Sequence, residues 1–424
     1  MFLFILLIFS PFVLFSSTPL IVKKEFISNG HGVRFKLPKG FYGKYIREDY
    51  QIVFPKEANL KEIPSSIVDI PLIMNVISMV WISGNQYTIE EMDEDLYYSL
   101  IKVKKFFNRY HQNTKWNGEL IPKRLIKNRS TITSLKPAAL FTGGVDSTAT
   151  LLRHLDEEPH LISFGNPNKV AVNFATELSL KFQVIQSNYE SFLNKRYLDH
   201  LTCDISVWRT DAIEGLSWVG MAAPLLYIQG IPRLYIASSG TWDEHLFPDG
   251  KCVRNISNPI VDENLTPFGL EVKHDAFDLT RCDKISYVLN YCRDNHLTQC
   301  KFSVCNKENC NHCEKCYRTI NEIVALGVDP RGCGFNITIE KFIERYKFFL
   351  EHTNFSRRME YNYHRNAQIK IAENLTSLPQ KYLSYYKWFI SQDLWEKFRD
   401  TSCQNSASPF SWEDYRDLYP DIPL

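Results

Sequence analysis

An apolar run that breaks on two glycines and restarts as a helix fixes the centre of this chain. Residues 137–155 read Pro-Ala-Ala-Leu-Phe-Thr-Gly-Gly-Val-Asp-Ser-Thr-Ala-Thr-Leu-Leu-Arg-His-Leu. A strand turning on Gly143 and Gly144 into an amphipathic helix exposes the first N–H groups of that helix, where the positive dipole end favours an anion. Glycine has no Cβ to hold the anion away, and Thr142, Ser147 and Thr148 add hydroxyl donors. The pattern predicts a phosphate-binding turn formed by Thr142, Gly143, Gly144, Val145, Asp146, Ser147 and Thr148. Its spacing is not Gly-x-x-x-x-Gly-Lys-Ser/Thr, and no lysine follows the second glycine, which disfavours a kinase or GTPase.

The flanking pattern predicts an α/β fold. Leu161–Gly165 and Gln183–Gln186 read as short strands separated by a helical run from Val170 to Phe182. Strands alternating with helices of this length imply parallel β-α-β units, whose ligands bind at the carboxyl ends of the strands. Glu214 to Ile228 reads as a buried helix, followed by a strand, Pro232 to Gly240, that ends in small polar residues. The loop Trp242-Asp243-Glu244-His245 is rich in functional groups, and an ordinary surface loop is an equal reading. Thr280-x-x-Asp283 caps a helix whose first turn holds Arg281 and Lys284. Cations oppose the helix dipole there, so both are expected to face an anion, either a nearby carboxylate or a phosphate.

The cysteines make a second landmark. Cys305, Cys310, Cys313 and Cys316 put four of the eleven thiols within twelve residues, too crowded for paired disulfides and suited to tetrahedral zinc. Four thiolates leave no open position, which points to a structural role. His312 is a substitute ligand by position, and an iron–sulfur cluster is the alternative, although the lone cysteine precedes the triplet and no Cys-Pro follows. Lys307, Lys315 and Arg318 would help keep the thiols deprotonated, and the other seven cysteines are scattered.

Thr142-Gly143-Gly144-Val145-Asp146-Ser147-Thr148 resembles the Ser-Gly-Gly-x-Asp-Ser-Ser/Thr loop of the PP-loop ATP pyrophosphatases, with threonine in place of the first serine. With the downstream cysteines, residues 136 to 330 are most similar to the 7-cyano-7-deazaguanine synthase branch of that superfamily. The gap of four residues after Cys305 is shorter than usual there, and long extensions flank the match. The resemblance implies an adenine-nucleotide α-hydrolase-like parallel sheet, ATP and Mg²⁺ at the loop, structural Zn²⁺ at the cysteines, and adenine beside Ser163 and Phe164. It further implies adenylation of a substrate carboxylate or carbonyl oxygen, pyrophosphate release, then attack by ammonia, an amine or a sulfur nucleophile. Asp146, Ser147, Arg281 and Lys284 are the expected catalytic groups, with Asp146 a magnesium or water partner or a brace for the loop. A nucleotide-binding protein without turnover is the alternative.

Four segments are expected: an apolar stretch at 1–22, a small α+β region at 23–135, the ATP-binding domain at 136–334, and a helical region at 335–424. The apolar stretch reads as a signal, an anchor or a start placed too early. No positive charge precedes it, Pro11 interrupts it, and Lys23 and Lys24 follow, which places the body in the cytoplasm, with membrane contact only through residues 1–22. With 49 basic and 48 acidic residues, no general nucleic-acid attraction is expected, and the partner is a small molecule. The run Arg357, Arg358, Tyr361, Tyr363, His364 and Arg365 mixes cations with aromatics, and the plainer reading is a packed helix with one solvated face.

Overall fold

The computed structural model describes residues 18–201, 208–241, 243–245, 247–249, 255–305, 308–352 and 359–398. Its strands are β1 Thr18–Pro19, β2 Lys23–Ile27, β3 Gly32–Lys36, β4 Tyr50–Val53, β5 Gln86–Asp93, β6 Glu119–Ile126, β7 Ala138–Leu140, β8 His160–Phe164, β9 Phe182–Ser187, β10 Arg233–Ala237 and β11 Glu271–Asp275. Eight of them form one sheet in the order β11-β10-β7-β8-β9-β4-β3-β2. The members from β11 to β9 run parallel, and β4, β3 and β2 extend the edge in antiparallel register. A separate small parallel sheet has the order β1-β5-β6. The fold is therefore α/β.

Alternation along the central strands assigns each face its own core, because successive side chains of a strand point to opposite sides. Ala138, Ile162, Leu234 and Ile236 enter one apolar cluster, with the buried helices Ile70–Ser83 and Glu214–Gln229. Ala139, Leu161 and Tyr235 enter the other, with Val145, Ala149 and Leu152 of helix Val145–Arg153, Ile320 and Ile323 of helix Glu314–Ala325, and the C-terminal helices. The N-terminal region thus shares a sheet and a core with the centre of the chain. Its buried helix Ile70–Ser83 has little polar alternation to read from sequence, and a second helix, Glu94–Tyr110, follows β5 directly.

Of the apolar N-terminal stretch, residues 1–17 lie outside the described residues. Its end is part of the fold: β1 pairs with β5 and Leu20 is fully buried. Among the described residues no helix is long and apolar enough to cross a membrane. Helices Ile339–His352, Met359–Asn374 and Leu383–Ile390 make the C-terminal region helical. Arg357 and Arg358 lie outside the described residues, while Tyr361, Tyr363 and His364 are buried. These three rings pack into the interior and Arg365 is exposed, in line with a packed helix with one solvated face.

The strand order places the glycine turn. β7 is central, with β8 and β9 added on one side and β10 and β11 on the other, so the winding reverses between β7 and β10. A crevice opens at the carboxyl ends of adjacent strands where the winding reverses, which is where open α/β sheets bind ligands. Thr142–Gly144 follow β7 and Ser238–Gly240 follow β10, so both border that crevice.

Candidate functional site

The two glycines do different jobs. Gly143 has φ +73°, and a Cβ there would lie 3.1 Å from Ala171, so this position demands both the left-handed conformation and the missing side chain. Gly144 is extended at the helix N-cap, φ −77° and ψ 169°, and a Cβ would meet only ordinary contacts. The turn is held from both sides: Asn168 Nδ2 donates to the Thr142 carbonyl at 2.6 Å, and Ser303 N–H donates to the Gly143 carbonyl at 2.8 Å. The Thr142 and Ser147 hydroxyls lie 3.2 Å apart, and Ser147 and Thr148 are buried in the first turn of the helix. Ser163 and Phe164 end β8 beside the loop strand, but alternation sends them to opposite faces, and Phe164 packs on the first core.

Asp146, Arg281 and Lys284 come together at the mouth of the crevice. Arg281 Nη1 donates to Asp146 Oδ2 at 2.7 Å, Nε to Glu322 Oε2 at 3.2 Å, and Nη2 to Thr319 Oγ1 at 3.2 Å. Lys284 Nζ donates to the Ser238 carbonyl at 2.7 Å and stands 3.9 Å from Asp146 Oδ1. Of the two anions anticipated for these cations, the structure supplies the carboxylates. Burial pulls the Arg281 guanidinium down, but Asp146 and Glu322 more than offset this and hold it well above its ordinary range. Burial depresses Lys284, against the pull of Asp146 and Glu244. Oδ1 of Asp146 is buried with no hydrogen-bond partner.

Two further carboxylates complete this cluster: Glu322, which the sequence reading does not name, and Glu244, which it names only within a loop rich in functional groups. Glu322 is fully buried, and burial raises its carboxyl against the opposing pull of Arg281 and Arg318. Glu244 lies in the stretch that also reads as a surface loop, yet it is buried: its carboxylate accepts from Thr241 N–H at 2.7 Å and from Asn366 Nδ2, and burial pushes it up to about 7. A surface loop is therefore the wrong reading of Glu244, while Trp242 lies outside the described residues. Nothing local marks either acid, because the contacts that bury them come from helices 41 and 122 residues away.

The four cysteines converge as their spacing predicts. Their sulfurs all lie within 4.8 Å of one another, and Cys310 Sγ is 3.9 Å from Cys316 Sγ. Tetrahedral zinc with sulfur bonds of about 2.3 Å would place ligand sulfurs about 3.8 Å apart, so the cluster is of a size to hold a metal ion. Cys313 is the N-cap of helix Glu314–Ala325, and Cys316 sits in its first turn, where exposed N–H groups favour thiolates. Hydrogen bonds from Cys316 and the neighbouring thiols pull Cys313 down to about 4. Asn309 staples the loop by accepting from Val304 N–H at 2.9 Å and donating to the Phe302 carbonyl at 2.6 Å. His312 is exposed and outside the sulfur cluster. Arg318 lies over the Tyr363 ring at 4.1 Å instead of against the sulfurs, and Lys307 is outside the described residues. Cys292 and Cys300, two of the cysteines that look scattered in sequence, are joined by a disulfide with Cα atoms 6.0 Å apart.

Beside the ion cluster, a cavity of about 510 Å³ is lined by Arg209, Trp218, Ser239, His274, Lys315, Arg318 and Tyr363, among others. Tyr363 connects the two, because Arg281 stands 5.8 Å from its ring centre and Arg318 covers the same ring. Compared with known proteins, the chain matches no protein-family model, no curated protein and no solved structure.

Proposed function

We propose that the chain is an ATP-dependent activating enzyme of PP-loop type. It adenylates a substrate carboxylate or carbonyl oxygen, releases pyrophosphate, and passes the activated group to ammonia, an amine or a sulfur nucleophile. The observation that carries this reading is the turn at Gly143, left-handed, tight against Ala171, and opening a helix at the point where the sheet's winding reverses. Main-chain N–H groups of Gly144 and Val145 and the hydroxyls of Ser147 and Thr148 would hold the β and γ phosphates. Arg281 and Lys284, whose helix packs on the one that opens at Gly144, would stabilise charge on departing pyrophosphate. The unpartnered Oδ1 of Asp146 suits a magnesium ion or its water. Zn²⁺ at Cys305, Cys310, Cys313 and Cys316 would brace the segment whose Ser303 supports Gly143, a structural use of the metal.

A second reading, nucleotide binding without turnover, draws on one fact: Arg281 and Lys284 are already engaged by carboxylates and the Ser238 carbonyl. Incubation with α-labelled ATP, Mg²⁺ and a panel of carboxylates separates the two. AMP and pyrophosphate are expected; ADP as product refutes the PP-loop assignment, and bound but intact ATP favours the second reading.

A further inference from the structure

The glycine turn is held by two neighbours, and one small closed loop is fastened to both. Asn168, which donates to the Thr142 carbonyl, caps helix Lys169–Glu177, and Ala171, which crowds Gly143, lies in its first turn. The last residue of that helix, Glu177, accepts from Thr298 N–H at 2.7 Å, from Thr298 Oγ1 at 2.8 Å and from Gln299 N–H at 3.0 Å. Thr298 and Gln299 lie within the loop that the Cys292–Cys300 disulfide closes. Just beyond that bond, Ser303 N–H makes the second contact to the turn, through the Gly143 carbonyl.

The disulfide roots this support in the helix of the ion cluster. Cys292 is buried near the end of helix Arg281–Asp294, whose first turn holds Arg281 and Lys284, and it shares the core with Ile285 and Val288. Cys300 is half-buried, so its sulfur is the one a thiol in solution reaches. The bonded cysteines are only eight residues apart in sequence, and closing a short loop constrains the unfolded chain less than closing a long one. Its effect is therefore local. The six other described cysteines are free, and four of them gather as metal ligands, which requires them as thiolates. One oxidised pair thus stands five residues from thiols that work only when reduced, so a reductant can open the pair and leave the metal ligands in their working state.

We propose that Cys292–Cys300 is a redox latch on the phosphate-binding turn. Closed, it holds residues 298–303 against Glu177 and Gly143; opened by a dithiol, it frees that segment and lowers affinity for the nucleotide. The effect on nucleotide rests on the ATP-dependent reading, whereas the latch on the turn does not. In the opening step a thiolate of the dithiol attacks Cys300 Sγ. The Cys292–Cys300 bond breaks, and Cys292 leaves with the electron pair and takes up a proton. The second thiol of the reductant, losing its proton, then displaces Cys300, which is protonated in turn. The two cysteines gain two electrons and two protons, and the dithiol closes as a disulfide.

Dithiothreitol is the probe, added to the zinc-loaded full chain purified in air. Alkylation and mass spectrometry should find Cys292 and Cys300 protected before treatment and labelled after it; both labelled from the start would overturn the latch. Hydrogen exchange at the Thr298, Gln299 and Ser303 amides, each bonded to Glu177 or Gly143, should rise about tenfold on reduction, a local opening that leaves helix Glu214–Gln229 unchanged. Unchanged exchange at those three amides, or a rise throughout the chain, overturns it as well. Cys300→Ser opens the bond without a reductant and should reproduce the faster exchange at wild-type zinc content, with no further response to dithiothreitol. Lost zinc in Cys300→Ser, or a persisting response to dithiothreitol, would assign the effect to the metal-binding thiols and sink the latch. Reduction should also weaken binding of ATP with Mg²⁺ about tenfold, within the usual range of coupling between two sites. Equal affinity in both redox states overturns control of the nucleotide. No ATP binding in either state overturns the ATP-dependent reading and leaves hydrogen exchange to decide the latch alone.

Discussion

The cysteine cluster and the ion cluster around Arg281 are both polar assemblies packed against the same apolar core, and they hold together by opposite logic. The cysteines gather four groups that repel one another once deprotonated, so the loop keeps its shape only if a cation bridges them. The Arg281 cluster joins a cation to the carboxylates of Asp146 and Glu322, so opposite charges already meet within the chain. The cysteine cluster should respond most to chelators, and the ion cluster most to pH.

Removing metal should give the largest effect. Structural zinc contributes on the order of 10 kcal/mol of apparent folding free energy in small domains. Cys313→Ser, or prolonged chelation, is expected to eliminate bound zinc by elemental analysis and lower the melting temperature sharply. Amide exchange should rise around residues 300–337 first. Full retention of stability without metal would mean that the thiols merely pack, and the contrast with the ion cluster would collapse.

Next comes Arg281→Met, which strips the positive partner from a fully buried Glu322 and a partly buried Asp146. Breaking one side of a buried ion pair costs about 3–5 kcal/mol, because a charge is left without compensation. Urea denaturation should show that loss, and adding Glu322→Leu should recover much of it. A double variant less stable than Arg281→Met alone would show that Glu322 is held by something other than the guanidinium.

These two regions also differ in how readable they are. Cys305 to Cys316 span one short stretch, so ligand spacing and the helix that follows are visible together. The glycine turn, the parallel strands and the Thr280 cap are legible for the same reason: each is set by neighbours a few residues away. Arg281 and Asp146 stand 135 residues apart, and they meet because helix Arg281–Asp294 packs on helix Val145–Arg153. The first turn holding Arg281 and Lys284 signalled that an anion must be near, but not which one. Glu244 was hidden for a further reason: its burial comes from helix Met359–Asn374, through Asn362 and Asn366. The antiparallel edge formed by β2 to β4 was equally silent, since alternation shows that a strand has two faces but not which sheet it joins.

Glu244 sharpens the pH side of the comparison. Burial raises its carboxyl from 4.5 to about 7, so the folded chain holds a proton that the unfolded chain releases. Its contribution is fully present below pH 4.5 and is lost as pH rises to about 7, the reverse of a salt-bridged carboxylate. That shift corresponds to on the order of 3 kcal/mol, since one unit is about 1.4 kcal/mol. Glu244→Gln should flatten the slope of stability against pH between those limits and leave zinc content unchanged. An unaltered slope would place the titration on Glu322, which burial also raises.

The smallest effect separates the two glycines of the loop, which look equivalent in sequence. Gly143→Ala forces a side chain into a left-handed conformation, at about 1–2 kcal/mol, and presses a methyl to 3.1 Å from Ala171. Gly144→Ala keeps an extended φ that any residue adopts, and its methyl meets Thr142 Oγ1 at 3.5 Å, so stability should move by less than about 0.5 kcal/mol. ATP titration then separates folding from function. If Gly144 is there to let phosphate approach the helix N-terminus, Gly144→Ala should weaken ATP binding at nearly unchanged stability, whereas Gly143→Ala should lose both. Equal binding in Gly144→Ala and wild type would mean that the anion does not approach the loop at residue 144, leaving Gly143 as the only glycine the turn requires.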